Sequence, residues 1–158
     1  MVAGFNVASI DDVCALVTAA ILLKLARDYG KFGATTEQEQ FELLRWLFWD
    51  NHKLTGYMAT YRYARAFTPT PDPQVLKHFR RRLDDFLSIL ERHVAKNAFA
   101  IGDHPTIADI SMMAYLHYPG GETGYDLAVS HPAIRAWLGR MAACRDGNRP
   151  TSCWPASA

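Results

Sequence analysis

Three groups of residues in this 158-residue chain are the candidates for chemistry, and each has a plain alternative. Asp50-Asn51-His52-Lys53 crowds a carboxylate, an amide, an imidazole and an ammonium into four positions. They fall inside a segment of helical periodicity, where such a tetrad taken alone reads as a solvated helix face. Around it run aromatic residues, Trp46, Trp49, Tyr57 and Tyr63, which widen an apolar stripe of Phe41, Leu44, Leu47/Phe48, Leu54, Met58 and Tyr61. Aromatic rings at helical spacing serve a core or the wall of a cleft for flat apolar molecules equally well, so Trp49 and Tyr57 stand as candidate substrate contacts. The third group is Thr106 and Asp109, at the S/T-x-x-D spacing of a capping box. Its chemistry is structural: the Thr106 hydroxyl accepts from the Asp109 N–H, and the Asp109 carboxylate reaches back to the N–H of Thr106.

Other catalytic patterns are missing. There is no Gly-rich phosphate loop, no G-x-S-x-G, no metal-ligand spacing among the six histidines and no internal repeat. Cys14, Cys144 and Cys153 are odd in number and lack ligand spacing, which reads as reduced thiols in the cytoplasm. Cys14 sits in an apolar run, where a thiolate is disfavoured. A net charge of +1 gives no argument for nucleic acid or an acidic membrane surface. Met1–Asp12 has no Lys or Arg to open a secretory signal, and the run Val13–Leu23 is too short to span a bilayer.

The elements that must position these residues all read as helices. The apolar content of 49% and the length suit one globular core. A helix is expected from Val13 to about Asp28, apolar nearly all round and therefore buried, and ended by Gly30. Thr36-Glu37-Gln38-Glu39 is a second capping box, opening a long helix to Ala66 with a bend near Gly56. Asp72 caps the next helix with Pro73 at its first position, and Leu76, Phe79, Leu83, Phe86/Leu87, Leu90 and Val94 keep helical spacing. Lys77, Arg80, Arg81, Arg82 and Arg92 could form an anion site. Interleaved Asp84, Asp85 and Glu91 favour a solvated, salt-bridged face instead. From Thr106 an almost wholly apolar helix follows, with Ile110, Met113, Ala114 and His117 on one spacing. Pro119-Gly-Gly reads as a loop. Pro132 opens a last helix carrying Ile134, Trp137, Leu138 and Met141, ended by Gly147 and Pro150. No period-2 pattern of adequate length occurs, so the expected fold class is all-α, a helical bundle.

The stretch Phe-Ala-Ile-Gly-Asp-His-Pro-Thr-Ile-Ala-Asp-Ile-Ser, residues 99–111, closely resembles the segment that opens the central core helix in the C-terminal domain of glutathione transferases. His131-Pro132-Ala133-Ile134 and Trp137-Leu138-Gly139-Arg140-Met141 resemble that domain's next helix, and the likeness runs from about Ala19 to Arg145. Three regions follow: 1–31, an irregular start and a helix resembling the last one of the thioredoxin-like domain; 32–146, the helical domain; and 147–158, a loose tail. The resemblance implies that His52-Lys53 corresponds to the His-Lys pair of bacterial beta-type members, which faces the glutathione sulfur and favours a thiolate. It implies that Val17 and Thr18 stand where the family holds the γ-glutamyl end of glutathione, and only Thr18 can still donate. It implies a homodimer meeting along the Thr36–Ala66 helix, small apolar electrophiles as ligands, and glutathione as possible co-substrate with no cofactor. The family's thiol-activating Tyr, Ser or Cys has no counterpart here. The expectation is therefore a truncated member, weak or inactive in conjugation by itself, or a helical module used for association.

Overall fold

A computed structural model describes residues 18–145 of the chain. The expected helix start at Val13–Val17, Cys14, Cys153, and the ends at Gly147 and Pro150 lie outside the described residues. Within them every regular element is helical. These are α1 (Thr18–Tyr29), α2 (Glu37–Trp49), a π turn (Asp50–Leu54), α3 (Thr55–Ala66), α4 (Pro73–Val94), α5 (Ile107–Leu116), α6 (Gly120–Thr123), α7 (Leu127–Ser130) and α8 (Pro132–Arg145). The short α6 replaces the loop expected after Pro119. It closes on Gly124, whose φ of 68° is left-handed.

The segment α5 lies in the middle, against α1, α2, the π turn and α3. Its buried face is Ile107, Ala108, Asp109, Ser111, Met112 and Leu116. Ala114 and His117, expected on the packed spacing, are exposed. The helix is apolar on nearly all sides, so spacing could not single out one face. The α4 helix follows its expected stripe, burying Leu83, Phe86, Leu87, Leu90 and Val94, and packs on α3 and α8. Ile134, Trp137, Leu138 and Met141 of α8 are buried as expected.

Two expectations need correction. Of the expected stripe, Leu47, Leu54, Met58 and Tyr61 are buried, but within α2 the interior takes Leu43 and Trp46 in place of Phe41 and Phe48, with Leu44 half-buried. Phe41 and Phe48 are 65% and 69% exposed. The buried series continues through Asp50 to Leu54, and its one polar member hid it. The second correction concerns α1, which has no fully buried residue. Leu22, Leu23 and Ala26 pack on the core, while Ile21, Leu25 and Tyr29 face outward. A helix apolar all round has only one side covered here.

Helix ends are satisfied partly in trans. Asp72 accepts from the Gln74 N–H at 2.7 Å, a local cap as its sequence predicts. His131 precedes α8 and offers no carboxylate or hydroxyl to its first turn. Glu91 of α4 supplies both acceptors instead, taking the Ala133 and Ile134 N–H groups at 2.8 Å each. In return, Arg140 of α8 donates to the Ala98 carbonyl just beyond α4 at 3.0 Å. A side-chain cap is worth about 0.5–2 kcal/mol, and Glu91 serves two donors at once. Glu91→Ala is therefore expected to lower stability by about 1–2 kcal/mol in urea denaturation, with the slope unchanged.

Candidate functional site

The organising residue pair is Thr106 and Asp109. Both arms of the capping box are formed, and both residues are fully buried. Asp109 Oδ2 accepts the Thr106 N–H and the Thr106 hydroxyl, each at 2.9 Å. Its Oδ1 accepts the Ala100 N–H at 2.8 Å and the Trp137 indole N–H at 3.0 Å. All four partners are donors, so the ionised carboxylate is the form that satisfies every one of them. Burial pushes the Asp109 carboxyl above the usual carboxylate range, and the Ala100, Thr106 and Trp137 donors oppose it. The carboxylate thus joins the 99–106 loop, α5 and α8 at one point. The first N–H of α5, on Ile107, goes to the Phe32 carbonyl at 2.8 Å, which ties the connection after α1 to the same helix start. Phe32 presents that carbonyl from a left-handed φ of 60°.

The second expected box is only half reciprocal in the expected way. Thr36 Oγ1 accepts the Glu39 N–H at 3.2 Å, while the Glu39 carboxylate takes the N–H and hydroxyl of Thr35 at 2.7 and 2.6 Å. Those Thr35 bonds hold the Glu39 carboxyl below its usual range.

The tetrad at 50–53 is not a solvated face throughout. Asp50 is 1% exposed. Its Oδ1 accepts the Thr55 hydroxyl at 2.7 Å and its Oδ2 the Ser111 hydroxyl of α5 at 2.5 Å. Burial pushes the Asp50 carboxyl up, against the pull of the Ser111 and Thr55 hydroxyls. The polar neighbours of this residue mask its burial in the sequence. The signal available was its place on the Leu43–Leu47–Leu54 spacing, where a carboxylate must be buried. Asn51 and His52 are exposed, and Asn51 Nδ2 donates to the Leu47 carbonyl at 2.7 Å. Lys53 is half-buried, its Nζ 5.8 Å from the centroid of the Phe86 ring.

The aromatic residues form one connected row across the α2–α3 and α4 seam. Trp46 meets Trp49 edge-on at 5.3 Å, and Trp49 meets Phe86 at 6.4 Å. Tyr57 meets Phe86 at 5.2 Å and Phe79 at 5.6 Å. Trp46 is buried, whereas Trp49 and Tyr57 are half-buried and present surface. Lys53 therefore stands at the edge of a row that includes both predicted substrate contacts. Thr18 is exposed in α1, which touches α5. The π turn touches α5 too, so α5 is the element common to Thr18 and to His52 and Lys53.

The basic cluster on α4 is not uniformly solvated. Arg80 stacks 3.7 Å from the centroid of the Tyr125 ring, donates to Asp84 at 3.1 Å and to the Gly124 carbonyl at 2.8 Å. The Tyr125 hydroxyl donates to Asp84 at 2.8 Å, and burial with that bond pushes the Tyr125 phenol far above its usual range. Arg80 is thus a stitch between α4 and the Gly124 turn. Among the described residues no cluster of three or more His, Cys, Asp or Glu could hold a metal ion, and no helix is long and apolar enough to cross a membrane.

Two predictions follow from these carboxylates. Asp109→Ala leaves four buried donors unpaired and is expected to cost about 3–5 kcal/mol. Asp85→Ala, an exposed change on α4, is expected to stay within about 0.5 kcal/mol, and denaturant midpoints of the two compare them directly. For Asp50 the folded carboxyl titrates above its ordinary value of 3.8. Stability that its protonated form contributes is present below that value and lost as pH rises through the folded one. Asp50→Asn should therefore gain on the parent chain as pH rises from about 4 to neutrality, measured as melting temperatures across that range.

Comparison with known proteins agrees with this architecture. Residues 73–140 match the family model of the glutathione S-transferase C-terminal domain. The chain is 25% identical over 95 residues to the disulfide-bond oxidoreductase YghU of Escherichia coli, covering 60% of this chain and 33% of that protein. A glutathione S-transferase from Xanthobacter autotrophicus superposes with a TM-score of 0.71 at 30% identity, over 79% of this chain and 60% of that one. One from Pseudomonas fluorescens gives 0.72 at 27% identity, over 86% and 64%. The chain spans a third of the curated relative and less than two thirds of either structure. With the capping box, the central apolar helix and the indole of α8 on Asp109 all in place, the chain is similar to glutathione transferases, and its residues 73–140 match the model of their C-terminal domain.

Proposed function

We propose that this helical domain supplies the apolar half of a conjugation site, receiving small flat electrophiles beside glutathione. The observation that carries the reading is the aromatic row Trp49–Phe86–Tyr57–Phe79 with the Lys53 ammonium at its edge. Half-buried rings offer surface to an aromatic ligand. The Lys53 ammonium raises the local positive potential, which favours a thiolate over a thiol. Trp49 and Tyr57 contact the electrophile, and His52, Lys53 and Thr18 lie on the glutathione side. None of these groups removes the thiol proton by itself. Binding without thiol activation or an anchored tripeptide lacks the proximity advantage, which amounts to several kcal/mol of barrier. The helical domain alone is therefore a weak conjugating catalyst, acting in a reducing cytoplasm. A chloronitrobenzene time course with glutathione is expected to show little turnover, while aromatic dyes quench the tryptophan fluorescence. Robust turnover that falls in His52→Ala overturns the reading, because the helical half would then suffice.

A second reading, association, is favoured by a separate observation. Phe41 and Phe48 are seven residues apart on one exposed face of α2, and Ile21, Leu25 and Tyr29 are exposed on α1. Apolar surface of this kind marks contact sites. A homodimer through the α2 face is proposed, and sedimentation at micromolar concentration is expected to give twice the chain mass. Phe48→Glu should return it to the monomer, and a parent chain that sediments as a monomer rejects the dimer.

A further inference from the structure

We propose that Asp50 is a positioning residue for the candidate site: by pinning the π turn to α5 it fixes where His52 and Lys53 stand relative to the aromatic row. The inference rests on the half-site reading and goes a step beyond it, to the device that sets the geometry of its edge.

A carboxylate on this face is an expensive choice. Asp50 shares the helical spacing of Leu47, Leu54 and Met58, is like them at most 2% exposed, and no described cation pairs with it. An apolar side chain of similar size would bury there at lower cost. What a carboxylate adds is two directed acceptors, and both are used. Oδ2 takes a hydroxyl from the neighbouring helix, Ser111, two residues past Asp109. Oδ1 takes the hydroxyl of Thr55, at the far end of the π turn. The turn is thereby clasped across its own length and fastened to the central helix.

The backbone in between is not that of an α-helix. The Thr55 N–H bonds to the Asp50 carbonyl, five residues back. A Cβ on Gly56 would stand 3.2 Å from the Asn51 carbonyl, tighter than ordinary contact, so glycine eases the wide turn. Asn51 Nδ2 closes on the Leu47 carbonyl. A π turn inside a long helix costs backbone regularity and is found often at functional sites. It holds one residue more than an α turn, so it re-aims the side chains within it. Those side chains include His52, which points to solvent, and Lys53, which lies over Phe86. Without the clasp the segment from Glu37 to Ala66 is free to regularise, and Lys53 loses its register on the ring.

The test uses the full chain with Asp50→Leu, Asp50→Asn, Ser111→Ala and Lys53→Ala. The turn is read without ligand, from hydrogen exchange of the Thr55 amide. Asp50→Leu should speed this exchange about tenfold or more relative to amides of α4, and Ser111→Ala should do so less. Asp50→Asn keeps an acceptor oxygen and should leave it near the parent rate. Should Asp50→Leu not fold, the Ser111→Ala and Asp50→Asn pair carries the same comparison. The site is read by quenching of tryptophan fluorescence with 1-(S-glutathionyl)-2,4-dinitrobenzene. Lys53→Ala and Asp50→Leu should each weaken binding about tenfold, and the double variant should be no weaker than either, because Asp50 acts through Lys53. Losses that add, or Thr55 exchange unchanged in Asp50→Leu and Ser111→Ala, overturn the proposal. If the parent chain does not bind the probe, the half-site reading fails, and the amide exchange alone decides whether Asp50 holds the turn.

Discussion

The carboxylate of Asp109 joins the loop before α5, the start of α5 and the indole of α8 at one point. It is buried without a cation, and it is tolerable there because four donors converge on its two oxygens. Those donors come from the loop before α5, from the residue that caps α5 and from the indole of α8. The start of α5, the path of the loop and the seating of α8 are therefore one condition rather than three. A helix apolar on nearly all sides has no polar face to orient it, so its position depends on how its first turn is held. The Phe32 carbonyl on Ile107 extends that condition to the connection after α1.

The same economy recurs at the next level. Three helix ends in this domain are closed by side chains from other helices. Glu91 serves α8, Arg140 serves the end of α4, and Arg80 holds the Gly124 carbonyl. Each bond joins two elements distant in sequence, so satisfying a helix end also fixes an interhelix distance. The exposed cations of α4 are divided by this rule into those that stitch and those that merely solvate.

Asp50 is the second buried carboxylate, and it meets α5 two residues beyond Asp109. One carboxylate fastens the start of the central helix to α8 and the other fastens the long α2–α3 arm to it. Between the arm and α4 lies the row of edge-on rings, whose spacing depends on how the arm is docked. The proposed edge of the site, His52 and Lys53, is therefore downstream of a hydrogen bond made on the opposite side of the helix.

The sequence by itself determined the long helices and the starts of α2, α4 and α5. Thr106 with Asp109, Asp72 with Pro73, and the spacing of Leu83 to Val94 are local signals, because a cap or a heptad-like stripe is made by residues within a few positions of each other. The resemblance to the glutathione transferase C-terminal domain was legible for the same reason, in the run from Phe99 to Ser111. Only the tertiary structure decided that Leu43 and Trp46, rather than Phe41 and Phe48, join Leu47 in the interior, since both choices fit helical spacing. It alone decided that α1 leaves an apolar side uncovered, that Glu91 caps a helix some forty positions away, and that Asp50 is buried. A carboxylate reads as surface until its donors are known, and Ser111 lies sixty-one residues from it in the chain. Period and local capping fix what each segment is, whereas partners distant in sequence fix which face it buries.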